Sequence, residues 1–251
     1  MATSLNLSVI KAFDALDLFD ETRPELTVEI VARELRLTTA TAHRFLTTLE
    51  VAGVLSAVRR GVYAPGPRLS RLGRMAEELS PLPPSLQTVI DAMRKELGES
   101  IMACRFTPRG PLCVAVSLAQ RPISVQIRTG TTLPMLPTAQ GRLFLAGMSP
   151  RDRAQWCAAQ GESANELAAM EPVLDRLNAA GCALNLGDNE PDIAAVSVPI
   201  KVVGRTALTL STFGTLSRFG ADFIERAESV LKAAATELAT EMATKVAPDQ
   251  T

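Results

Sequence analysis

Thr38 to Gly53 reads TTATAHRFLTTLEVAG, a short amphipathic helix with its own start and stop signals. Thr38 stands where an N-cap belongs, and Gly53 supplies the C-terminal stop. Ala42, Phe45, Leu46 and Leu49 recur at helical spacing and form an inward stripe, so Ala40, His43, Arg44 and Thr47 fall on the outward face.

Upstream, TVEIVARELR predicts a second short helix with Thr27 as its cap and Ile30, Val31 and Leu35 as its stripe. Before it, Val9, Ala12, Phe13, Leu16 and Phe19 predict a first amphipathic helix that stops in Asp20-Glu21-Thr22-Arg23-Pro24. Downstream, two β-prone runs, Leu55 to Val58 and Val62 to Ala64, flank Arg59-Arg60-Gly61 as the tip of a hairpin. Helix, short helix, turn, helix and basic hairpin is the order of a winged helix-turn-helix. In that arrangement the helix after the turn enters the major groove and the hairpin touches the backbone.

The charge pattern supports this reading. Between Arg33 and Arg74 lie Arg33, Arg36, Arg44, Arg59, Arg60, Arg68, Arg71 and Arg74, against only Glu34 and Glu50. A chain of formal net charge −1 thus carries a local basic face where phosphates would lie. Thr38, Thr39 and Thr41 offer hydroxyl donors at a helix N-terminus, suited to phosphate oxygens. His43 and Arg44 are the candidates for base edges, Thr47 for a shorter-range contact, and Arg59 and Arg60 for the backbone. Tyr63 is read as packing against the third helix.

Composition excludes several other classes. The 251 residues are 47% hydrophobic and 21% charged, enough apolar material for two domain cores. Cys104, Cys113, Cys157 and Cys182 form no C-x-x-C or cluster, which argues against a zinc knuckle or disulfide framework and fits a reduced cytosol. Cys104 and Cys113 are read as buried small hydrophobes. His43 is the single histidine, so a multi-histidine metal site is excluded. With no acidic residue at helical spacing on its turn, it is read as exposed and non-catalytic. G-x-G-x-x-G, P-loop and G-x-S-x-G motifs are absent, and no membrane-length apolar run or signal peptide is found. No metal, cofactor or membrane association is expected, and the expected location is the cytoplasm.

Leu69, Leu72, Met75 and Leu79 predict a linking helix that ends at Pro81-Leu82-Pro83-Pro84. The expected division is 1–66 as the DNA-binding domain, 67–81 as the linker and 82–251 as a second domain. In the second domain a helix from about Ser85 to Leu97 precedes the β-like runs SIMACRF, LCVAVSL and ISVQIR. A helical middle holds TAQGRLFLAG and PVLDRLNAAG. DIAAVSVPI and RTALTLSTF, joined by a turn around Gly204, then lead to a final helix with Phe223, Ala227, Val230, Leu231, Ala234, Leu238 and Met242 on one face. The class is α+β, with a mainly antiparallel sheet flanked by helices.

The segment Ser8 to Gly66, TAQGRLFLAG at Thr138 to Gly147, and GCALNLGDNEPDIAAVSVPI at Gly181 to Ile200 resemble the IclR family of bacterial transcription factors. The most specific elements are T-A-H-R-F-L-T-T-L-x-x-x-G in the third helix, Y-x-x-G at Tyr63 to Gly66, and the Thr-Ala-x-Gly turn at Thr138 to Gly141. The resemblance implies a winged helix-turn-helix that binds double-stranded operator DNA, a linking helix, a GAF-like domain that binds a small effector, and assembly as a homodimer or homotetramer.

The implied effector site comprises Thr138, Ala139 and Gly141, the acidic position at Asn185 or Asp188, the often-cysteine position at Ala195, and the hydroxyl pair Thr209 and Ser211. Arg105 and Arg128 could pair an acidic effector, expected to be a carboxylic or aromatic acid. The sequence departs from the family pattern at Arg142, where lysine is usual, at Gln140, where a small or apolar residue is usual, and at Lys11, where arginine is usual. Two rival readings remain at this stage: a small-molecule-metabolising enzyme, and a GAF-like sensor that signals through a protein partner.

Overall fold

A computed structural model describes residues 6–20, 22–79 and 81–246; Glu21, in the expected polar break, lies outside them. The chain divides into two compact units, Met1–Pro81 and Leu82–Thr251.

In the first unit, α1 (Leu7–Leu16) is capped by Asn6, α2 (Val28–Glu34) by Thr27 and α3 (Thr39–Val51) by Thr38. Each cap side chain accepts a backbone N–H of the first turn, a group that has no partner within its own helix. β2 (Leu55–Arg59) and β3 (Val62–Pro65) form the expected hairpin around Gly61, with a bulge between Ala57 and Arg59. A two-residue strand that the sequence reading did not anticipate, β1 (Leu26–Thr27), adds to β3 and completes a sheet of order β1-β3-β2. Ala15, Leu26, Val31, Ala42, Leu46, Leu55 and Tyr63 form one buried cluster, so α3 buries the face its stripe predicts and Tyr63 is a packing residue.

The first helix departs from its expected stripe. Ala15 is its buried residue, whereas Val9 and Phe13 are 52% and 59% exposed. Leu16 and Phe19 of the expected stripe do pack against the cluster, so the unit covers only the C-terminal end of the predicted face.

Two backbone features set the angles of α3. Arg36 adopts φ +52° after α2, and the Leu37 N–H reaches back to the Ala32 carbonyl at 2.8 Å, a helix stop usually served by glycine. At the other end Gly66 lies so close to the α3–β2 connection that a Cβ there would stand 2.7 Å from the Gly53 carbonyl oxygen. From that point α4 (Pro67–Leu79) departs, its Leu72, Met75 and Leu79 exposed.

The second unit is a five-stranded antiparallel sheet of order β5-β4-β8-β7-β6 with helices on both faces. Its strands are β4 (Ser100–Thr107), β5 (Gly110–Ser117), β6 (Ala183–Leu186), β7 (Ile193–Val202) and β8 (Arg205–Thr215). α5 (Leu86–Leu97) and α9 (Ala221–Val246) cover one face through Ile90, Leu97, Val198, Leu208, Leu210, Leu231 and Leu238. α6 (Ala139–Ala146), α7 (Pro150–Gln160) and α8 (Ala164–Ala180) contribute to a second core with Met102, Cys104, Cys113, Ala195 and Phe213. The alternation of β8 assigns Leu208 and Leu210 to the first face, and Thr209, Ser211 and Phe213 to the second.

The run ISVQIR, expected to be a strand, is irregular, and Ile123 is exposed. The outer edge of β5 is taken instead by the segment after it. Cys113 N–H bonds the Thr131 carbonyl, Gly130 N–H the Cys113 carbonyl and Leu133 N–H the Pro111 carbonyl, each at 2.8 Å. Residues 123–128 are left without a ladder partner, so alternation alone does not make them a strand.

Candidate nucleic-acid interface and effector face

On α3 the cap residue Thr38 accepts the Thr41 N–H at 3.2 Å, and the two hydroxyls lie 2.9 Å apart. Thr38, Thr39, Ala40, His43 and Arg44 are exposed, with Thr41 and Thr47 half-buried beneath them. The helix thus presents hydroxyls and unpaired N–H groups at its N-terminus, then an imidazole and a guanidinium one turn further on.

The arginines around it are not equivalent. Arg59 pairs with Glu25 at 2.8 Å, Arg33 with Glu34 at 2.8 Å, and Arg68 donates to the Ala52 carbonyl at 3.0 Å. Of the two wing arginines, Arg59 is therefore already paired at the surface, whereas Arg60, at the exposed hairpin tip beside Gly61, forms no ion pair among the described residues. Charge counting along the sequence cannot see this pairing, because Glu25 is 34 residues from Arg59.

The positions of the expected effector site converge where α6 meets the sheet, but several are already occupied. The Thr138 hydroxyl donates to the Pro134 carbonyl at 2.6 Å and accepts the Gly141 N–H at 3.2 Å. That N–H is thus already satisfied by the helix cap. Gly141 is required by packing, since a Cβ there would stand 1.9 Å from the Met135 carbonyl oxygen. Asn185 donates to the Pro137 carbonyl at 3.2 Å and accepts the N–H groups of Gly187 and Asp188. Asp188 in turn pairs with Arg142 at 2.6 Å. Thr138, Asn185, Asp188 and Arg142 thus together clamp the 134–138 segment.

The sheet side is less engaged. Ser211 and Ser197 share a hydrogen bond at 2.8 Å, and Ala195 and Ala139 are buried. Thr209 Oγ1 and Gln140 Nε2 are buried with no hydrogen-bond partner among the described residues. Two donors thus stand unmatched in the layer where α6 packs on β7 and β8. Ser197 was missed by the sequence reading, although its two-residue spacing from Ala195 on a strand was available as a signal.

Cys104 and Cys113 face each other across β4 and β5 in the same core and share a hydrogen bond. That bond and burial push the Cys104 thiol well above the usual range, while the same bond draws Cys113 below it. The two candidate arginines do not join the site. Arg105 is paired in register with Leu208, on the α5/α9 face, and Arg128 is exposed in an irregular segment.

Comparison with known proteins agrees with this geometry. The IclR helix-turn-helix domain matches residues 8–59, and the bacterial transcriptional regulator IclR C-terminal domain matches residues 82–240. The chain belongs to the IclR family. It is a DNA-binding transcriptional regulator of that family.

An IclR-family relative, the Pca regulon regulatory protein of Pseudomonas putida, is 24% identical over 200 residues, covering 77% of this chain and 68% of that protein. The IclR transcriptional regulator from Alicyclobacillus acidocaldarius has the same fold with TM-score 0.71 at 22% identity, over 95% of this chain and 100% of that one. An IclR homolog from Microbacterium hydrocarbonoxydans complexed with 4-hydroxybenzoate gives TM-score 0.70 at 21% identity, over 94% and 99%. Among the described residues no helix is long and apolar enough to cross a membrane, and no group of histidine, cysteine and acidic residues could hold a metal ion.

Proposed function

We propose that this IclR-family protein binds operator duplex through α3 in the major groove and Arg60 on the backbone, and that an aromatic or other carboxylic acid held between α6 and β7–β8 alters operator affinity. The observation that carries the DNA contact is the exposed Thr39, His43 and Arg44 face of α3 in the same unit as a wing-tip arginine, Arg60, that forms no ion pair among the described residues. Thr38, Thr39, Thr41 and Arg59 complete the phosphate-facing set, and Thr47 lies at its inner margin.

For the effector, the supporting observations are Thr209 Oγ1 and Gln140 Nε2, both buried with no hydrogen-bond partner among the described residues, on the packed elements α6 and β8 that also carry Ala139 and Ser211. The class of ligand follows the 4-hydroxybenzoate complex of the Microbacterium homolog. Donors without partners in a dry layer suit an acceptor-rich ligand such as a carboxylate. The protein acts in the cytoplasm as a homodimer or homotetramer, with 1–66 as the DNA-binding domain, 67–81 as the linker and 82–251 as the effector domain, and it carries no catalytic activity of its own.

The test is a fluorescence-anisotropy titration of the full chain on duplex DNA from upstream of its own gene, over a range of salt and with a panel of small carboxylic acids. Sequence-preferring binding whose log affinity falls steeply with log salt, and which one acid shifts, is the expected result. Affinity indifferent to sequence at every salt, with and without acids, would overturn it.

A further inference from the structure

The second unit holds a cavity of about 540 Å³ that the regulator reading leaves unused. It opens at the C-terminal end of α6, between α7 and the first residues of β8. The expected effector positions Thr138 and Ala139 lie at the other end of the same helix, about 12 Å away by helical rise.

Three aromatic side chains line the cavity: Phe106, Phe144 and Trp156. The two phenylalanine rings meet edge to face at 5.8 Å, and the Trp156 indole N–H is tied to the Pro108 carbonyl at 2.7 Å, which fixes the orientation of that ring. Two polar groups of the lining have no partner. Arg205 is exposed and forms no ion pair among the described residues, and the Thr206 hydroxyl is buried without a hydrogen bond. Asp152, the acidic residue of the lining, already accepts from the Ser149 hydroxyl at 2.8 Å within the cap of α7. A neutral hydroxyl leaves the carboxylate's charge in place, and Arg205 is the one cationic side chain among the lining residues.

We propose that this cavity is a second ligand site, distinct from the α6–β8 effector face, which takes a small aromatic carboxylate with its ring among Phe106, Phe144 and Trp156 and its carboxylate on Arg205. The volume is that of a small-molecule site, with a mostly apolar wall and a few polar groups that orient the ligand. A guanidinium at the rim favours a planar anion. The Thr206 hydroxyl carries the cost of an unmade hydrogen bond, which an oxygen of the ligand, reached by one staggered step about χ1, would remove.

Trp156 is the only tryptophan of the chain and stands in the cavity wall, so its fluorescence reports occupancy directly. The experiment is a titration of the full chain with benzoate and with 4-hydroxybenzoate, repeated on R205Q, T206V and S211A, each checked for an unchanged melting temperature. A saturable change in Trp156 emission is expected, with R205Q weakening the apparent affinity about tenfold and T206V a fewfold. S211A, on the effector face, is expected to leave the titration unchanged.

No saturable change with either acid would overturn the proposal. So would a change that S211A abolishes and R205Q leaves intact, since that places the single binding event on the effector face. Because T206V buries a methyl where a hydroxyl stood, R205Q at an exposed position keeps the test valid if T206V fails to fold. The readout is independent of DNA, so the site stands or falls separately from operator control.

Discussion

Arg142 reaches Asp188 at 2.6 Å across 46 residues of sequence, while its Nε donates to the Leu136 carbonyl at 2.9 Å. One guanidinium thus holds two segments, 134–138 and the turn after β6, against each other. With side-chain exposures of 19% and 48%, the pair contributes about 0.2–1 kcal/mol at most. D188N is therefore expected to leave the melting temperature almost unchanged while speeding amide hydrogen exchange at Met135, Leu136 and Thr138. Unchanged exchange there would show that the Asn185 and Thr138 contacts suffice alone.

Arg153 presents the opposite balance. It is buried, bonds both oxygens of Glu171 on α8, and also donates to the Leu145 and Met148 carbonyls at the end of α6. R153M removes these bonds but leaves the carbonyls and a partly exposed carboxylate behind. The expected loss is about 2–4 kcal/mol, seen as a melting temperature lower by roughly 6–12 °C. A fall of less than a degree or two would mean that water replaces the guanidinium at no cost.

Arg36 holds a left-handed backbone at φ +52° between α2 and α3. An L side chain pays a steric penalty there that glycine avoids, only partly offset by the greater freedom of glycine in the unfolded chain. R36G is expected to raise stability by about 0.5–1 kcal/mol in chemical denaturation, whereas R36A gains nothing. A destabilised R36G would place the Arg36 side chain in an unrecognised contact.

The two wing arginines and the α3 arginine separate by the type of loss. R44A is expected to erase sequence preference, about 1–3 kcal/mol for a bidentate base contact, and R60A to weaken all duplexes alike. R59A should cost less than R60A because Glu25 already occupies Arg59. E25Q frees that guanidinium, so it should strengthen binding and steepen the slope of log affinity against log salt by about 0.9. Parallel salt lines for E25Q and the parent would exclude Arg59 from the phosphate contacts.

Thiol chemistry gives an independent check on both cores of the second unit. Burial, reinforced by the nearby Glu228 carboxylate, pushes the Cys182 thiol up to about 12, and Cys104 is likewise raised. Both are therefore expected to resist iodoacetamide at pH 8 in the folded protein, since the thiolate is the nucleophile, and to react once denatured. Mass mapping that finds Cys182 alkylated under native conditions would mean that α9 opens readily over Cys182.

The parts legible in the sequence were those whose signals are local. Thr27 and Thr38 announced their helices because a cap needs only the next three residues, and the α3 stripe was right because Ala42 and Leu46 meet a core built from the same unit. The Val9 and Phe13 end of the α1 stripe and the alternation in ISVQIR misled for one reason: each describes a surface and not what covers it. α7 went unread although Ser149, Pro150 and Gly161 marked its ends, because PRDRAQWCAAQ has little amphipathic contrast. What escaped was the pairing of Arg142 with Asp188, Asn185 with Pro137 and Arg59 with Glu25, contacts between residues far apart in the chain whose partners only the fold selects.

The close approach at Gly66 bears on how motion could travel. Gly66 N–H bonds the Val54 carbonyl at 2.8 Å, Arg68 N–H bonds the Gly53 carbonyl at 3.2 Å, and the Arg68 side chain holds the Ala52 carbonyl. The first turn of α4 is thereby riveted to the Ala52–Val54 connection in which α3 ends. A twist applied to α4 would reach the C-terminal end of α3 through these three bonds and not through the hairpin that separates the two helices in sequence, as through a crank keyed to its shaft.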